Sequence, residues 1–145
     1  MRLVTYEVEH KGGLGVISKD GKWIYPLRSL DMDYKTMQEL IEGISESEKQ
    51  LLEYVSGQNP YKIRGAAPIE EVKFLAPIPN PKQDVICLGI NYMAHSDEAE
   101  KYSADAFSTQ HRDAIYFSKR VSRAVPDGGF IEAHTDLVQK LDYEC

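Results

Sequence analysis

Apolar and polar positions alternate from the start of the chain. Over residues 2–10, Leu3 and Thr5 face one way and Val4, Tyr6 and Val8 the other, the period-two pattern of a half-buried strand. Gly12-Gly13 reads as a turn, residues 14–17 as a second strand, and Asp20-Gly21 as a hairpin signal before a third strand over 22–27. These three strands make a meander. The period then lengthens to that of a helix. Thr36 with Glu39, and Ser45 with Glu48, form capping-box pairs. Met37, Leu40 and Ile41 follow the first pair, and Leu51, Leu52 and Val55 the second, giving two short amphipathic helices closed by Gly43 and Gly57. Glu46, Glu48, Lys49 and Glu53 read as a solvated face.

Residues 58–67 are linker-like, and 72–75 form a further strand. Pro77, Pro79 and Pro81 then exclude regular helix and interior strand pairing, which leaves a stiff extended connector. The domain boundary is placed there, with residues 1–78 as an N-terminal α+β domain and 79–145 as a second, β-rich one. The second opens on an apolar run, residues 85–90, interrupted only by Gly89. A continuous run of this kind predicts a strand buried on both faces. Residues 101–113 are polar and fit either a lid or an ordinary surface loop. Residues 114–118 are strand-like, with Lys119 at the end, and Pro126-Asp127-Gly128-Gly129 is a tight turn. Residues 137–143 alternate again and predict a last strand.

Composition narrows the classes of function. The 145 residues are 42% hydrophobic and 28% charged, ordinary for a folded globular protein. A formal charge of −6 argues against a general nucleic-acid surface. No apolar run approaches the roughly 20 residues that span a bilayer, and the alternating N-terminus lacks a signal-peptide core. Cys87 and Cys145 make no disulfide framework. A cytoplasmic setting is therefore expected.

Candidate chemistry follows directly on the central apolar run. If residues 94–101 form a short helix, His95 and Glu98 stand three apart on one face, where the carboxylate can orient the imidazole. A histidine held in this way serves as a general base near neutral pH and can take a proton from water. The same spacing also fits a solvated helix start with scattered charges. His10, His111 and His134 read as structural or solvated, since none belongs to a zinc-type H-E-x-x-H or paired C-x-x-C pattern. Gly12, Gly13 and Gly15 lack the Lys-Ser/Thr of a phosphate loop, and there is no G-x-S-x-G elbow.

Leu88-Gly89-Ile90-Asn91-Tyr92, followed by His95 and Glu98, resembles the G-x-N-Y-x-x-H segment of the fumarylacetoacetate hydrolase family, in which Glu follows three residues later. Three further segments agree in order. Phe74-Leu75-Ala76-Pro77-Ile78-Pro79 with Pro81 is similar to the proline-punctuated entry to the family's catalytic domain, Phe117-Ser118-Lys119 to its F-x-K segment, and Leu141-Asp142-Tyr143-Glu144 to the start of its D-Y-E-x-E metal-binding strand. The family's second glutamate is missing, because Cys145 follows Glu144 and the sequence stops. The expectation is an α+β protein with a small N-terminal β-meander and helices, followed by the first part of a mostly β catalytic domain that is incomplete.

The resemblance implies a hard divalent cation, Mg2+ or alternatively Mn2+ or Ca2+, bound by Glu144 and by carboxylates beyond residue 145. It also implies Asn91, Tyr92 and Lys119 as substrate-binding residues, with Arg120 and Arg123 as weaker relatives of Lys119. His95, oriented by Glu98, would activate water for cleavage of a carbon–carbon bond in a small-molecule 2-oxo acid such as an acylpyruvate. Decarboxylation or isomerisation of an unsaturated oxo diacid uses the same enolate. A homodimer is implied as well, without nucleic-acid or membrane partners. The competing reading, if the chain natively ends at residue 145, is a non-catalytic binding or assembly module.

Overall fold

The computed structural model describes residues 1–89 and 114–141. It divides into two compact units, Met1–Pro79 with the segment from Arg123 onward, and Asn80–Ser122.

In the first unit the alternating N-terminus forms β1 (Leu3–Val8), paired antiparallel with β2 (Lys11–Ile17) from Leu3↔Val16 to Val8↔Lys11. The turn between them is not Gly12-Gly13, which lie inside β2. It is Glu9-His10, both left-handed, with φ of 47° and 63°. Two consecutive residues in that region give the tight turn whose twist matches paired strands, and neither glycine nor asparagine is present to announce it. Within β2 it is Gly15 whose missing side chain supplies room. A Cβ added at Gly15 would stand 2.5 Å from Ile24 Cγ2 and 3.1 Å from the Tyr6 ring, and Ile24 is fully buried and cannot yield.

Ser18 closes the next connection. Its hydroxyl donates to Asp20 Oδ1 at 2.5 Å and accepts from the backbone N–H groups of Lys22 and Trp23 at 3.2 and 3.0 Å. The Ser18 hydroxyl, and then the Lys22 N–H, hold the Asp20 carboxyl below its usual range. The chain continues into β3 (Trp23–Pro26), a 3-10 turn over Leu27–Leu30, α1 (Met37–Gly43) and α2 (Glu46–Ser56). Both capping boxes are closed in both directions. Thr36 Oγ1 accepts from Glu39 N at 3.1 Å, and Ser45 Oγ from Glu48 N at 3.3 Å, while each glutamate accepts from the N–H of its cap.

Residues 58–68 are more structured than a linker. Tyr25 OH donates to the Gln58 carbonyl at 2.7 Å, and the Tyr61 ring meets Trp23 edge-on at 5.8 Å. β4 (Ala67–Pro68) joins the free side of β3, and β5 (Lys73–Phe74) the free side of β1. The result is one antiparallel sheet in the order β4-β3-β2-β1-β5.

Directly opposed residues of antiparallel strands share a face, so the register sorts the side chains. One face presents Leu14, Val16 and Tyr25, which pack with Leu27, Met32, Met37, Leu40, Leu52 and Val55 from the helices and their approach. The other presents Val4, Tyr6 and Ile24, with Phe74 beside Tyr6 on the same face and Ile69 and Val72 packed against the cluster. The mixed sheet-and-helix architecture is α+β, as expected. Ile41 and Leu51, assigned to the helices' apolar stripes, lie outside the core at 58% and 39% exposure.

The extended connector is tied to the first unit by its carbonyls. Pro77 accepts from Thr5 Oγ1, and Pro79 from Ala124 N, each at 2.8 Å. Residues 123–141 contain the turn at 126–129, where Gly129 N donates to the Pro126 carbonyl. The strand expected over 137–143 does not form in its described part, 137–141. The His134 carbonyl instead accepts from both Leu137 N and Val138 N at 2.8 Å, a helical type of turn, and Leu137 is 81% exposed. Alternation specifies which side chains share a face, but a strand also needs a partner, and no ladder reaches these residues.

The second unit is a two-stranded antiparallel ribbon of β6 (Val85–Gly89) and β7 (Ile115–Lys119), in register from Val85↔Lys119 to Gly89↔Ile115. The apolar run is a strand as expected, yet it is not buried. Ile86 is 75% exposed and Tyr116 67%, with Val85, Leu88, Ile115 and Phe117 also open. Among the described residues of this unit no further strand or helix covers either face, and a two-stranded ribbon is marginal by itself.

Candidate functional site

Of the residues singled out in the sequence, Asn91, Tyr92, His95, Glu98 and Glu144 lie outside the described residues, as does the proposed lid at 101–113. Lys119 is described. What the ribbon contributes is an anchor for that stretch of chain. Gly89 and Ile115 are directly opposed in the last pair of the ladder, which sets their Cα atoms about 5 Å apart. Gly89, the first residue of the G-x-N-Y-x-x-H segment, is the last described residue of β6 and stands opposite Ile115, the first of β7.

Lys119 stands at the other end of the ribbon, opposite Val85. At about 3.3 Å of rise per residue it is roughly 13 Å along β7 from Ile115. The F-x-K spacing has a visible consequence here. Residues two apart on a strand share a face, and Lys119 Nζ lies 5.7 Å from the centre of the Phe117 ring. The ring's negative face steadies the ammonium, a contact worth on the order of 0.5–1 kcal/mol at an exposed site. Phe117 was not singled out as a site residue in the sequence, although its place in the motif was the available signal. Beside this end of the ribbon, an open groove of about 480 Å³ is lined by Pro81, Lys82, Gln83, Asp84, Arg120 and neighbours. Arg120 is thus placed on the groove and Lys119 on the ladder. Arg123, the other weak candidate, begins the return to the first unit.

Among the described residues, the titratable groups held away from their ordinary range are in the first unit, and each has a structural cause. Burial raises the Tyr6 phenol, an effect that Arg28 partly offsets. Hydrogen bonds from the Ser45 hydroxyl and backbone N–H lower the Glu48 carboxyl, with Tyr34 OH, at 3.0 and 3.1 Å from its two oxygens, as a further donor. The Met1 amino group, at 3.0 Å, and Lys19, at 3.3 Å, lower Glu53. These last groups line a second open groove, of about 250 Å³, with Arg2, Ser18 and Ser56. Its one carboxylate is occupied in joining the chain start to α2, so the groove is explained by structure.

His10 occupies the β1–β2 turn, and His134 Nδ1 lies 3.8 Å from Glu132. Among the described residues no group of three or more His, Cys, Asp or Glu is placed to hold a metal ion. Among them too, no helix is long and apolar enough to cross a membrane.

No family model matches the chain. Compared with individual proteins, it is 29% identical over 154 aligned residues to the oxaloacetate tautomerase YisK of Bacillus subtilis (strain 168). The alignment takes in 99% of this chain and 49% of the relative, so the chain spans about half the length of the protein it is similar to.

Proposed function

We propose that this chain is the N-terminal half of an enzyme of the fumarylacetoacetate hydrolase type that acts on a 2-oxo acid through its enol or enolate. The observation that carries the reading is the likeness to an oxaloacetate tautomerase along 99% of the chain. It is supported by the motif that begins where β6 ends. In this reading His95, oriented by Glu98, moves a proton between the carbon beside the oxo group and the oxo oxygen. Asn91, Tyr92 and Lys119 hold the substrate, with the ammonium of Lys119 suited to a carboxylate. A divalent cation such as Mg2+, held by Glu144 and by carboxylates outside this chain, would stabilise the enolate when bound. The β6–β7 ribbon is then the opening of a larger β-rich domain whose further layers cover its apolar faces, in an enzyme that works as a homodimer.

Tautomerisation is the preferred reaction because the relative's name specifies it and because it needs only proton transfer. Carbon–carbon cleavage of an acylpyruvate is the second reading. It is favoured by the His95–Glu98 spacing, which suits activation of a water.

The test begins with the intact mass of the natively expressed protein. That species is then assayed with Mg2+, following loss of the ultraviolet absorbance of enol-oxaloacetate and, separately, cleavage of an acylpyruvate. Turnover of either substrate that falls about 10²- to 10⁴-fold in His95→Ala, the usual contribution of a general base, is the expected result. Residues 1–145 alone, with Glu144 as the one candidate metal ligand, are expected to show no turnover. Full activity in His95→Ala would remove His95 from the chemistry. Metal-dependent turnover by residues 1–145 would overturn the half-enzyme reading.

A further inference from the structure

We draw no further inference here: the strongest candidate, the pair of apolar faces on the β6–β7 ribbon, already belongs to the reading proposed above, and nothing in the structure shows what covers it.

Discussion

The five-stranded sheet and the two-stranded ribbon are built from similarly apolar strands, yet one is a core and the other a surface. In the first unit both sheet faces find cover within about eighty residues of chain. The helices bury Leu14, Val16 and Tyr25, and the return through Ile69, Val72 and Phe74 packs against Val4, Tyr6 and Ile24. In the ribbon, Ile86 and Tyr116 meet solvent. Apolar character drives a residue toward burial, but only a second layer delivers it.

The sharpest way to break this comparison is a pair of truncations. Leu52 is fully buried on α2 and Ile86 is 75% exposed on β6. Leu52→Ala should destabilise the first unit by about 2–5 kcal/mol, the range for a leucine removed from a packed core. Ile86→Ala in the same 145-residue chain should change stability by no more than about 0.5 kcal/mol. Urea unfolding followed by Trp23 fluorescence reads the first, and hydrogen exchange along β6 reads the second. If Ile86→Ala cost as much as Leu52→Ala, the ribbon would be packed in solution and the contrast would fail.

Gly15→Ala probes the density of the covered sheet. The new methyl would meet Ile24 Cγ2 at 2.5 Å and the Tyr25 carbonyl oxygen at 3.2 Å, with no exposed side chain able to swing aside. We expect a loss of about 1–3 kcal/mol, as for other overpacked sites, seen as a lower urea midpoint with an unchanged slope. An unaffected midpoint would mean that the strands separate more readily than the core suggests.

These residues also show where the sequence was legible. The capping boxes at Thr36 and Ser45 were readable because every atom involved lies within four residues. Gly12-Gly13 signals a turn in the sequence, yet neither has a left-handed backbone and a Cβ at either would meet only ordinary contacts, so the signal corresponds to no local requirement there. The true turn, Glu9-His10, carried no signal, since the pairing of β1 with β2 imposes its conformation. The 85–90 run declared a strand but not its cover, which is a long-range property. Residues 137–141 alternated without acquiring a partner. The candidate site was legible only as a motif. The structure adds to it the opposition of Gly89 to Ile115, a consequence of a register that the sequence does not state, and the seating of Lys119 over Phe117, which follows from their two-residue spacing once the segment is a strand.

The Glu9-His10 turn offers a smaller test. His10 is held at φ 63°, where a side chain is strained and glycine is not. His10→Gly should raise stability by a few tenths of a kcal/mol to about 1 kcal/mol, the relief of strain exceeding the entropy that glycine adds to the unfolded chain. A fall in melting temperature would show that the histidine side chain makes a contribution of its own.

The smallest effects belong to the exposed carboxylates, and their sign is determined. Asp20, Glu48 and Glu53 each have a carboxyl held below its ordinary range by hydrogen bonds or by cations. A group whose folded value is depressed binds its proton more readily when unfolded, so its stabilisation is present above the unfolded value, about 4 for these residues, and is lost as pH falls through the folded value. The first unit should therefore keep its melting temperature between pH 7 and about pH 5 and lose stability below that. Glu48→Gln should lower the melting temperature at neutral pH and flatten the decline between pH 5 and pH 3, because Ser45 and Tyr34 would then donate to a group that does not titrate. A decline of the same steepness in Glu48→Gln would transfer the acid sensitivity to Asp20 and Glu53, and Glu53→Gln would then be the variant that flattens it.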